Sequence, residues 1–269
     1  AKYDPKSSDP SEFINNEEIL ETIEYGRANA HNKPLIIEIL EKAKKAKGLS
    51  HREAFVLLSC DEDDLNQEIL KTAKELKLKF YANRIVLFAP LYLSNYCVNG
   101  CTYCPYHGQN KHIPRKKLSQ EEIREQVIAL QDMGHKRLAL ETGEDPINNP
   151  IEYILESIDT IYNIHHKNGS IRRVNVNIAA TTVENYKKLH DAEIGTYILF
   201  QETYNKEKYE NLHAYGPKSN YDYHTTAHDR AMEGGIDDLG LGVLYGLDSY
   251  EYEFIGQLMH AEHLEAKYK

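Results

Sequence analysis

Apolar positions in the first part of the chain recur three or four residues apart, with little of the alternation that strands show. This spacing predicts four helices, over residues 16–28, 34–46, 50–58 and 63–80. Ser50 followed by Glu53 forms a capping box, which supports the start of the third helix. We therefore expect residues 1–82 to form a helical segment that packs on the rest of the chain.

From residue 84 onward, short apolar runs alternate with amphipathic stretches of helical period. The runs predict five strands, over residues 84–94, 136–141, 172–178, 196–201 and 238–246. A helix is expected after each strand: from Ser119 to Gly134, over residues 151–165, 183–192 and 222–233, and from Ser249 onward. Strict alternation of this kind implies a parallel sheet with helices outside it, either open or closed as a barrel.

Unusual polar clusters follow these predicted strands. They comprise the cysteine-containing loop after the first strand, Glu141–Thr142–Gly143–Glu144 after the second, Asn175 and Asn177 on the third, Gln201–Glu202–Thr203 after the fourth, and Tyr245 on the fifth. Loops at the carboxyl ends of parallel strands carry the chemistry in folds of this type. The sequence therefore predicts a single active site at that edge of the sheet.

Composition and charge narrow the class of protein. The 269 residues are 41% hydrophobic, enough for one large domain or for a barrel with an appendage. A net charge of −10 argues against a broad contact with nucleic acid or an anionic membrane, because either needs a basic face. The N-terminal residues lack a signal-peptide pattern, and no apolar run approaches the ~18 residues of a membrane span. We expect a cytoplasmic protein.

Three of the four cysteines, Cys97, Cys101 and Cys104, fall in one predicted loop. In a reducing compartment such clustering indicates a metal site rather than disulfides. Three thiolates at this spacing can bind three corners of a 4Fe-4S cluster, which leaves the fourth iron without a protein ligand. The amino and carboxylate groups of S-adenosylmethionine (SAM) can chelate that open iron.

Other readings of the cysteines remain. A structural zinc site of the Cys3His type, with His107 or His112 as fourth ligand, would make the chain a zinc-stabilised binding module rather than an enzyme. Cys60 is expected to lie in the apolar helical stretch FVLLSC as a buried, inert thiol.

The spacing Cys-x3-Cys-x2-Cys, with Tyr103 directly before the last cysteine, resembles the signature of the radical SAM superfamily. Within the superfamily, the segments LYLSNYC, NVNIAATTVENY, GTYILFQETY and GIDDLGLGVLYGL resemble the aromatic amino acid lyases, among them the tyrosine lyases of FeFe-hydrogenase maturation. The resemblance runs from about Arg84 to the last residue. It implies an α/β fold, a partial TIM-type (β/α) barrel over residues 83–269 that follows the N-terminal helical segment.

The resemblance also implies a SAM-binding set. Thr142–Gly143–Glu144 matches the Gly-Gly-Glu motif that receives the SAM amino group, with Thr142 in place of the first glycine. Gln201 and Glu202 are expected to contact the SAM ribose or carboxylate, Gly242 and Tyr103 to lie near the adenine, and Arg173 to bind a carboxylate. Each has a structural alternative: Glu144 as a turn acid, Gln201 and Glu202 as strand caps, Gly242 as a close-packing residue, and Arg173 as the start of a strand. No catalytic residue is assigned.

The function implied by the resemblance is cleavage of the Cα–Cβ bond of L-tyrosine to p-cresol and dehydroglycine, and in the full-length protein formation of CO and cyanide for the hydrogenase H-cluster. The alternative within enzymes is a 2-iminoacetate synthase of thiazole biosynthesis, which stops at dehydroglycine. An electron donor such as ferredoxin or flavodoxin and other hydrogenase maturases are the expected partners.

The superfamily barrel has six strand-helix units, whereas the pattern here contains five. The lyases of hydrogenase maturation also carry a C-terminal domain whose cysteines bind a second iron–sulfur cluster. We therefore expect the chain to be part of a longer protein in which that second cluster lies beyond Lys269.

Overall fold

The computed structural model describes every residue from Ala1 to Lys269. The chain divides into two compact units. The helical unit comprises Ala1–Val86, Thr203–Asn205 and Tyr245–Lys269, and the sheet unit comprises Leu87–Glu202 and Lys206–Leu244. The packing of residues 1–82 on the rest of the chain stays a prediction.

The predicted strands and helices occur in the expected order, together with short helices that the sequence pattern does not predict. In chain order they are α1 (Pro10–Phe13), α2 (Asn16–Ala28), α3 (Lys33–Lys44), α4 (His51–Ser59), α5 (Asp63–Tyr81), β1 (Ala89–Ser94), α6 (Gln120–Asp132), β2 (Arg137–Thr142), α7 (Ile151–Tyr162), β3 (Arg173–Asn177), α8 (Val183–Asp191), β4 (Tyr197–Ile198), α9 (Lys206–Leu212), a 3-10 turn (Pro217–Ser219), α10 (Tyr221–Thr225), α11 (Ala227–Glu233), β5 (Leu239–Gly240) and α12 (Tyr250–Tyr268).

The sheet is parallel throughout, with the strands in the order β1-β2-β3-β4-β5. Its register pairs Leu91 with Leu140 and Leu140 with Val176, so the strands run side by side without a large offset. The carboxyl ends of the strands consequently meet at one edge. The predicted α/β class, with a partial barrel of parallel strands after a helical N-terminal segment, is confirmed.

The core of the sheet unit is a hydrophobic cluster contributed by the strands and by helices α6, α7, α8 and α11. Along β3 the odd positions Arg173, Asn175 and Asn177 are half-buried, and the even positions Val174 and Val176 are fully buried. Alternation of this kind puts the valines on the core face of the strand and the asparagines on the other face.

The helical unit has a second cluster, centred on Ile36, Ile39 and Leu40 of α3. The predicted capping box of Ser50 with Glu53 is formed at the start of α4. Ser119 and Glu122 form another at the start of α6 in the sheet unit. Cys60 is the residue after α4 and is buried, as predicted. No helix is long and apolar enough to cross a membrane.

Several predicted bounds need correction. The strand expected over residues 84–94 begins only at Ala89, and Ile85 is 80% exposed. The predicted strands over residues 196–201 and 238–246 reduce to the short β4 and β5. The helix expected over residues 222–233 is two helices, α10 and α11, because Thr226 departs from helical geometry between them.

Candidate functional site

The segment between β1 and α6, residues 95–119, contains all three clustered cysteines and is called the cysteine loop below. All three are free thiols; Cys101 is buried, and Cys97 and Cys104 are partly exposed. Arg115 braces the loop from within, because its guanidinium donates to the carbonyls of Asn95, Tyr106, His107 and Asn110 at 2.6–3.2 Å. The loop shape therefore rests on internal hydrogen bonds.

A second segment, after α9, holds the cysteine loop from outside. The N–H groups of Gly100 and Thr102 donate to the carbonyls of Tyr215 and Leu212, each at 3.0 Å. Cys101 and His213 also form an isolated antiparallel bridge. Residues 212–215 thus hold the middle of the cysteine loop in place through backbone hydrogen bonds.

The thiols open on a cavity of about 220 Å³ at the carboxyl edge of the sheet. The predicted site residues that line it are Cys97, Cys101, Cys104, Tyr103, Thr142, Gly143 and Glu202. It is also lined by polar residues that the sequence did not single out as ligands, notably Asn99, Glu141 and Lys218. Residues from the ends of β1 to β4 therefore meet at one cavity, whereas Asn175, Gln201 and Tyr245 of the predicted polar clusters do not line it.

Glu144 lines a smaller cavity that adjoins the first and shares Ala179, Lys218 and His224 with it. Its Oε1 accepts a hydrogen bond from Asn99 Nδ2 at 2.7 Å. Burial raises the pKa of the Glu144 carboxyl, although the Asn99 hydrogen bond and the charge of Lys218 act in the opposite direction. Glu144 is thus more than a solvated turn acid, since it is partly buried and bonded to the cysteine loop.

Lys218 and Glu202 form a largely buried ion pair, with Nζ and Oε1 3.4 Å apart. Burial by itself lowers the pKa of Lys218, but the charges of Glu202 and Cys101 outweigh it, so the pKa lies above its ordinary value. Glu202 has a φ of +71°, a left-handed conformation that costs a non-glycine residue free energy. Strain of this kind is concentrated at functional sites.

Tyr103 is oriented by His213. The Tyr103 hydroxyl lies 2.7 Å from His213 Nε2, and His213 Nδ1 lies 2.6 Å from the Tyr209 carbonyl. Because a carbonyl only accepts, Nδ1 carries the proton and Nε2 accepts from Tyr103. Burial lowers the pKa of His213 to about 4, which keeps this neutral tautomer in place. The Tyr103 ring beside the cysteines is therefore fixed.

Three predicted SAM contacts are not brought to the cavity. Arg173 lies at the amino end of β3, the opposite end of the strand, where its guanidinium pairs with Asp238. The Gln201 side chain is buried and donates to Thr225 Oγ1 at 2.8 Å. Gly242 packs against the ring of Phe200. These placements favour the structural alternatives for Arg173, Gln201 and Gly242, and their contacts with SAM stay predictions.

The donor set suits an iron–sulfur cluster. Free thiols that open on one cavity supply the ligands such clusters use, and three of them leave one iron for another ligand. Burial raises the pKa of Cys101 to about 11, and the charge of Lys218 opposes this shift in favour of the thiolate. No group of three or more His, Cys, Asp or Glu side chains is arranged so that it could hold a single metal ion. A cubane does not require such convergence, because each thiolate binds a different iron.

Comparison with known families decides the class. The family model described as the radical SAM superfamily matches residues 91–260, which include the cysteine loop, most of β1 and the other four strands. The chain belongs to the radical SAM superfamily. Membership implies a 4Fe-4S cluster and SAM as cofactors, and the prediction of a radical SAM enzyme is confirmed.

Two solved structures titled HydG are similar to this radical SAM chain. One, described as a maturase of the FeFe-hydrogenase, is 57% identical with a TM-score of 0.90 over 95% of this chain and 56% of its own. The other, the FeFe-hydrogenase maturase HydG from Carboxydothermus hydrogenoformans, is 40% identical with a TM-score of 0.85 over 96% of this chain and 59% of its own. The predicted resemblance to hydrogenase maturases is confirmed.

A curated relative, the 2-iminoacetate synthase of Salmonella typhimurium (strain LT2), is 31% identical over 84% of this chain and 57% of its own length. The chain thus spans a little over half the length of each of these three proteins.

Proposed function

We propose that the chain is the radical SAM part of a tyrosine lyase that acts in FeFe-hydrogenase maturation. The proposal rests on one observation: three free thiols, Glu144 and Lys218 lie around two adjoining cavities in a chain that is 57% identical to a HydG. The reaction is cleavage of the Cα–Cβ bond of L-tyrosine to p-cresol and dehydroglycine. In the whole protein this leads to CO and cyanide ligands for the H-cluster.

Within this proposal, Cys97, Cys101 and Cys104 hold the 4Fe-4S cluster. When bound, the cluster and SAM supply a 5′-deoxyadenosyl radical. We expect Glu144 to accept a hydrogen bond from the SAM ammonium, and the burial of its carboxylate beside the cysteine loop supports this role. Lys218 offers a positive charge that partly offsets the charge of the thiolates.

The remaining cavity lining has two roles in the proposal. Tyr103, held by His213, provides a fixed aromatic face beside the cysteines. Tyr92, Tyr106 and Phe200 give the cavity apolar walls that limit the entry of water. Excluding water and fixing the substrate amine matter because a misplaced primary radical would attack the protein itself.

The second candidate is a 2-iminoacetate synthase, which the similarity to the Salmonella typhimurium enzyme favours. It shares the proposed tyrosine cleavage but ends at dehydroglycine. The two candidates therefore differ in the fate of the second fragment and not in the radical site.

The test supplies SAM, a reductant and tyrosine to the whole anaerobically reconstituted protein, and measures p-cresol by chromatography and iron-bound CO by infrared spectroscopy. The proposal expects both products. Formation of p-cresol and dehydroglycine without CO would support the 2-iminoacetate synthase instead. Lack of p-cresol despite an intact cluster and bound SAM would exclude tyrosine as the substrate of either enzyme.

Further parts of the proposal concern the surroundings of the reaction. A second iron–sulfur cluster beyond Lys269, ferredoxin or flavodoxin as electron donor, other hydrogenase maturases as partners, and a cytoplasmic location stay predictions. The first three rest on the resemblance to the maturation lyases.

A further inference from the structure

Asn99 lies between Cys97 and Cys101, at a position where the cysteine spacing itself places no demand on the side chain. It is nevertheless 2% exposed and lines the cavity on which the thiols open. A buried carboxamide must find partners for both its oxygen and its nitrogen. Those partners connect it to the other two segments of the site.

Both ends of the Asn99 carboxamide are used. Nδ2 donates to Glu144 Oε1 at 2.7 Å, and Oδ1 accepts from the backbone N–H of Lys218 at 2.9 Å. The Asn99 carbonyl also accepts from the Gly108 N–H at 2.8 Å, within the cysteine loop. One residue therefore joins the cysteine loop, the carboxylate after β2 and the turn that carries Lys218.

The surrounding backbone is shaped to permit these contacts. At Gly216, which has a φ of +87°, an added Cβ would lie 2.4 Å from Asn99 Oδ1. The Val98 N–H donates to the Glu144 carbonyl at 2.8 Å, so the two segments are also joined beside the carboxamide. The approach of Lys218 to Asn99 thus depends on a glycine turn.

The chemistry allows one orientation of this side chain. In the reversed orientation Nδ2 would face the Lys218 N–H and Oδ1 would face the Glu144 carboxylate, so both contacts would be repulsive. A carboxylate at position 99 would repel Glu144, and an alanine would leave a buried Glu144 oxygen without its donor. The site therefore specifically requires an amide.

We propose that Asn99 is a positioning residue that fixes the Glu144 carboxylate relative to the cysteine loop, so that the SAM ammonium and the cluster are engaged together. This role rests on the proposed function. Asn99 itself contacts neither iron nor SAM in this role. It acts through Glu144, and that distinguishes it from a residue that only stabilises the loop.

The test is a double-mutant cycle on SAM affinity, measured on reconstituted protein with iron content and the electron paramagnetic resonance spectrum of the reduced cluster as further readouts. Asn99→Ala is expected to weaken SAM binding by about tenfold to a hundredfold, as for loss of a hydrogen bond to a charged group, with iron content unchanged. In a Glu144→Gln background it should weaken binding by less than about twofold, because the two changes act on one contact. The change that SAM causes in this spectrum should be smallest in the variants that bind SAM most weakly.

Asn110→Ala is the matched control, since Asn110 lies in the same loop and its side chain bonds only to loop backbone at Pro105 and His112. It should leave SAM affinity unchanged in both backgrounds. Asn99→Asp, which keeps the shape and the acceptor for the Lys218 N–H, guards against simple misfolding: it should retain iron and lose SAM affinity.

Three results would overturn the proposal: effects of Asn99→Ala and Glu144→Gln that multiply in the double variant, unaltered SAM affinity in Asn99→Ala, or loss of iron in both Asn99 variants. If Glu144→Gln alone binds SAM normally, the assignment of Glu144 fails and the role of Asn99 with it. Failure of the wild-type protein to bind four irons or SAM would instead overturn the proposed function.

Discussion

Lys218 brings a positive charge to a cavity whose other ionisable groups include two carboxylates, Glu141 and Glu202, and three thiols. Burial raises the pKa of the Glu141 carboxyl, and the amide of Asn177 partly offsets this by donating to Glu141 Oε2 at 2.8 Å. Negative groups so close together would repel one another in a site of low polarity. The positive charge of Lys218 and the hydrogen bonds from the amides of Asn99 and Asn177 reduce this repulsion at the carboxyl edge of the sheet.

The first prediction concerns the cysteines. Reconstituted protein should bind about four irons at the triad, and changing Cys97, Cys101 or Cys104 to Ala should abolish SAM cleavage, because the cluster loses one corner. Iron analysis and an assay for 5′-deoxyadenosine measure both effects. Cys60→Ala is the control, since Cys60 lies in the helical unit and should leave both unchanged. Full SAM cleavage by a triad variant would disprove the ligand assignment.

At this scale the sequence identified the groups that have a motif and missed those that do not. The cysteines and Thr142–Gly143–Glu144 line the cavities. They were predictable because of the cysteine spacing and because the second group directly follows a strand. Lys218 could not be found in this way, since it follows an irregular stretch without periodicity. Polar residues stand at both ends of β3, and a strand pattern does not say which end faces the site, so the sequence alone does not indicate that Arg173 lies away from the cavity.

Among the elements, the turn after β2 is packed directly on the cysteine loop. A Cβ at Gly143 would lie 2.2 Å from the Tyr96 carbonyl oxygen and 2.9 Å from Cys97 Cβ. The Gly143 N–H also donates to the Ser94 carbonyl at 3.0 Å. Glycine is therefore required where β2 ends, and Thr142, whose hydroxyl reaches the same carbonyl at 3.4 Å, is accepted one position earlier.

Gly143→Ala should consequently destabilise the sheet unit by about 1–3 kcal/mol, the usual range for overpacking, and should lower iron loading by pushing the cysteine loop outward. Urea unfolding and iron analysis provide the measurements. Gly240→Ala is the matched control in β5, because the nearest atom there is a side-chain carbon of Ile198 at 3.1 Å, and a smaller effect is expected. Equal effects of the two substitutions would contradict this account of the turn.

The regular elements were easier to predict than their ends. Helix α2 has the predicted bounds, because Asn15 caps it and its apolar stripe is continuous. Residues 84–88 were assigned to a strand on hydrophobicity alone, yet β1 pairs with β2 only from Ala89, opposite Leu138. Helix α9 was missed, since the sequence KEKYENL contains one buried position, Tyr209, and so shows no apolar stripe.

At the scale of the molecule, the helical unit joins distant parts of the sequence through one buried histidine. His51 Nδ1 lies 2.8 Å from Glu262 Oε2, and His51 Nε2 lies 2.7 Å from Glu18 Oε1. Arg52 also binds Glu18, at 2.8 and 2.9 Å, and approaches Glu21, while the Tyr3 hydroxyl donates to Glu262. Because each ring nitrogen of His51 faces a carboxylate, the doubly protonated imidazolium is the form that donates a hydrogen bond to both carboxylates.

This arrangement predicts a pH dependence of stability. Burial alone lowers the pKa of His51, but the hydrogen bonds with Glu262 and Glu18 outweigh it and raise the pKa above 6.5. The stabilisation is therefore complete below pH 6.5 and is lost as the pH rises through the raised value. The hydrogen bond from Arg52 lowers the pKa of the Glu18 carboxyl. The stabilisation that Glu18 contributes is therefore fully present above pH 4.5 and is lost as the pH falls through the lowered pKa.

Urea unfolding of the wild-type protein should show stability falling as the pH rises above 6.5. His51→Gln should cost about 1.5–3 kcal/mol at pH 6 and should remove most of this fall. His31→Gln is the control, since His31 also meets a carboxylate, Glu62 at 3.0 Å, but is 66% exposed. A pH profile of His51→Gln that parallels the wild type would refute the assignment.

The bracing of the cysteine loop bears on how the enzyme survives oxygen. Arg115 and residues 212–215 fix the loop through backbone groups and use none of the three thiols. Many small metal sites fold only when the metal arrives, and they collapse when it leaves. Because these contacts involve no cluster ligand, we expect the loop to keep its backbone path when oxidation removes iron. The folded protein should then accept a new cluster, so that recovery after exposure to air does not require a newly synthesised chain.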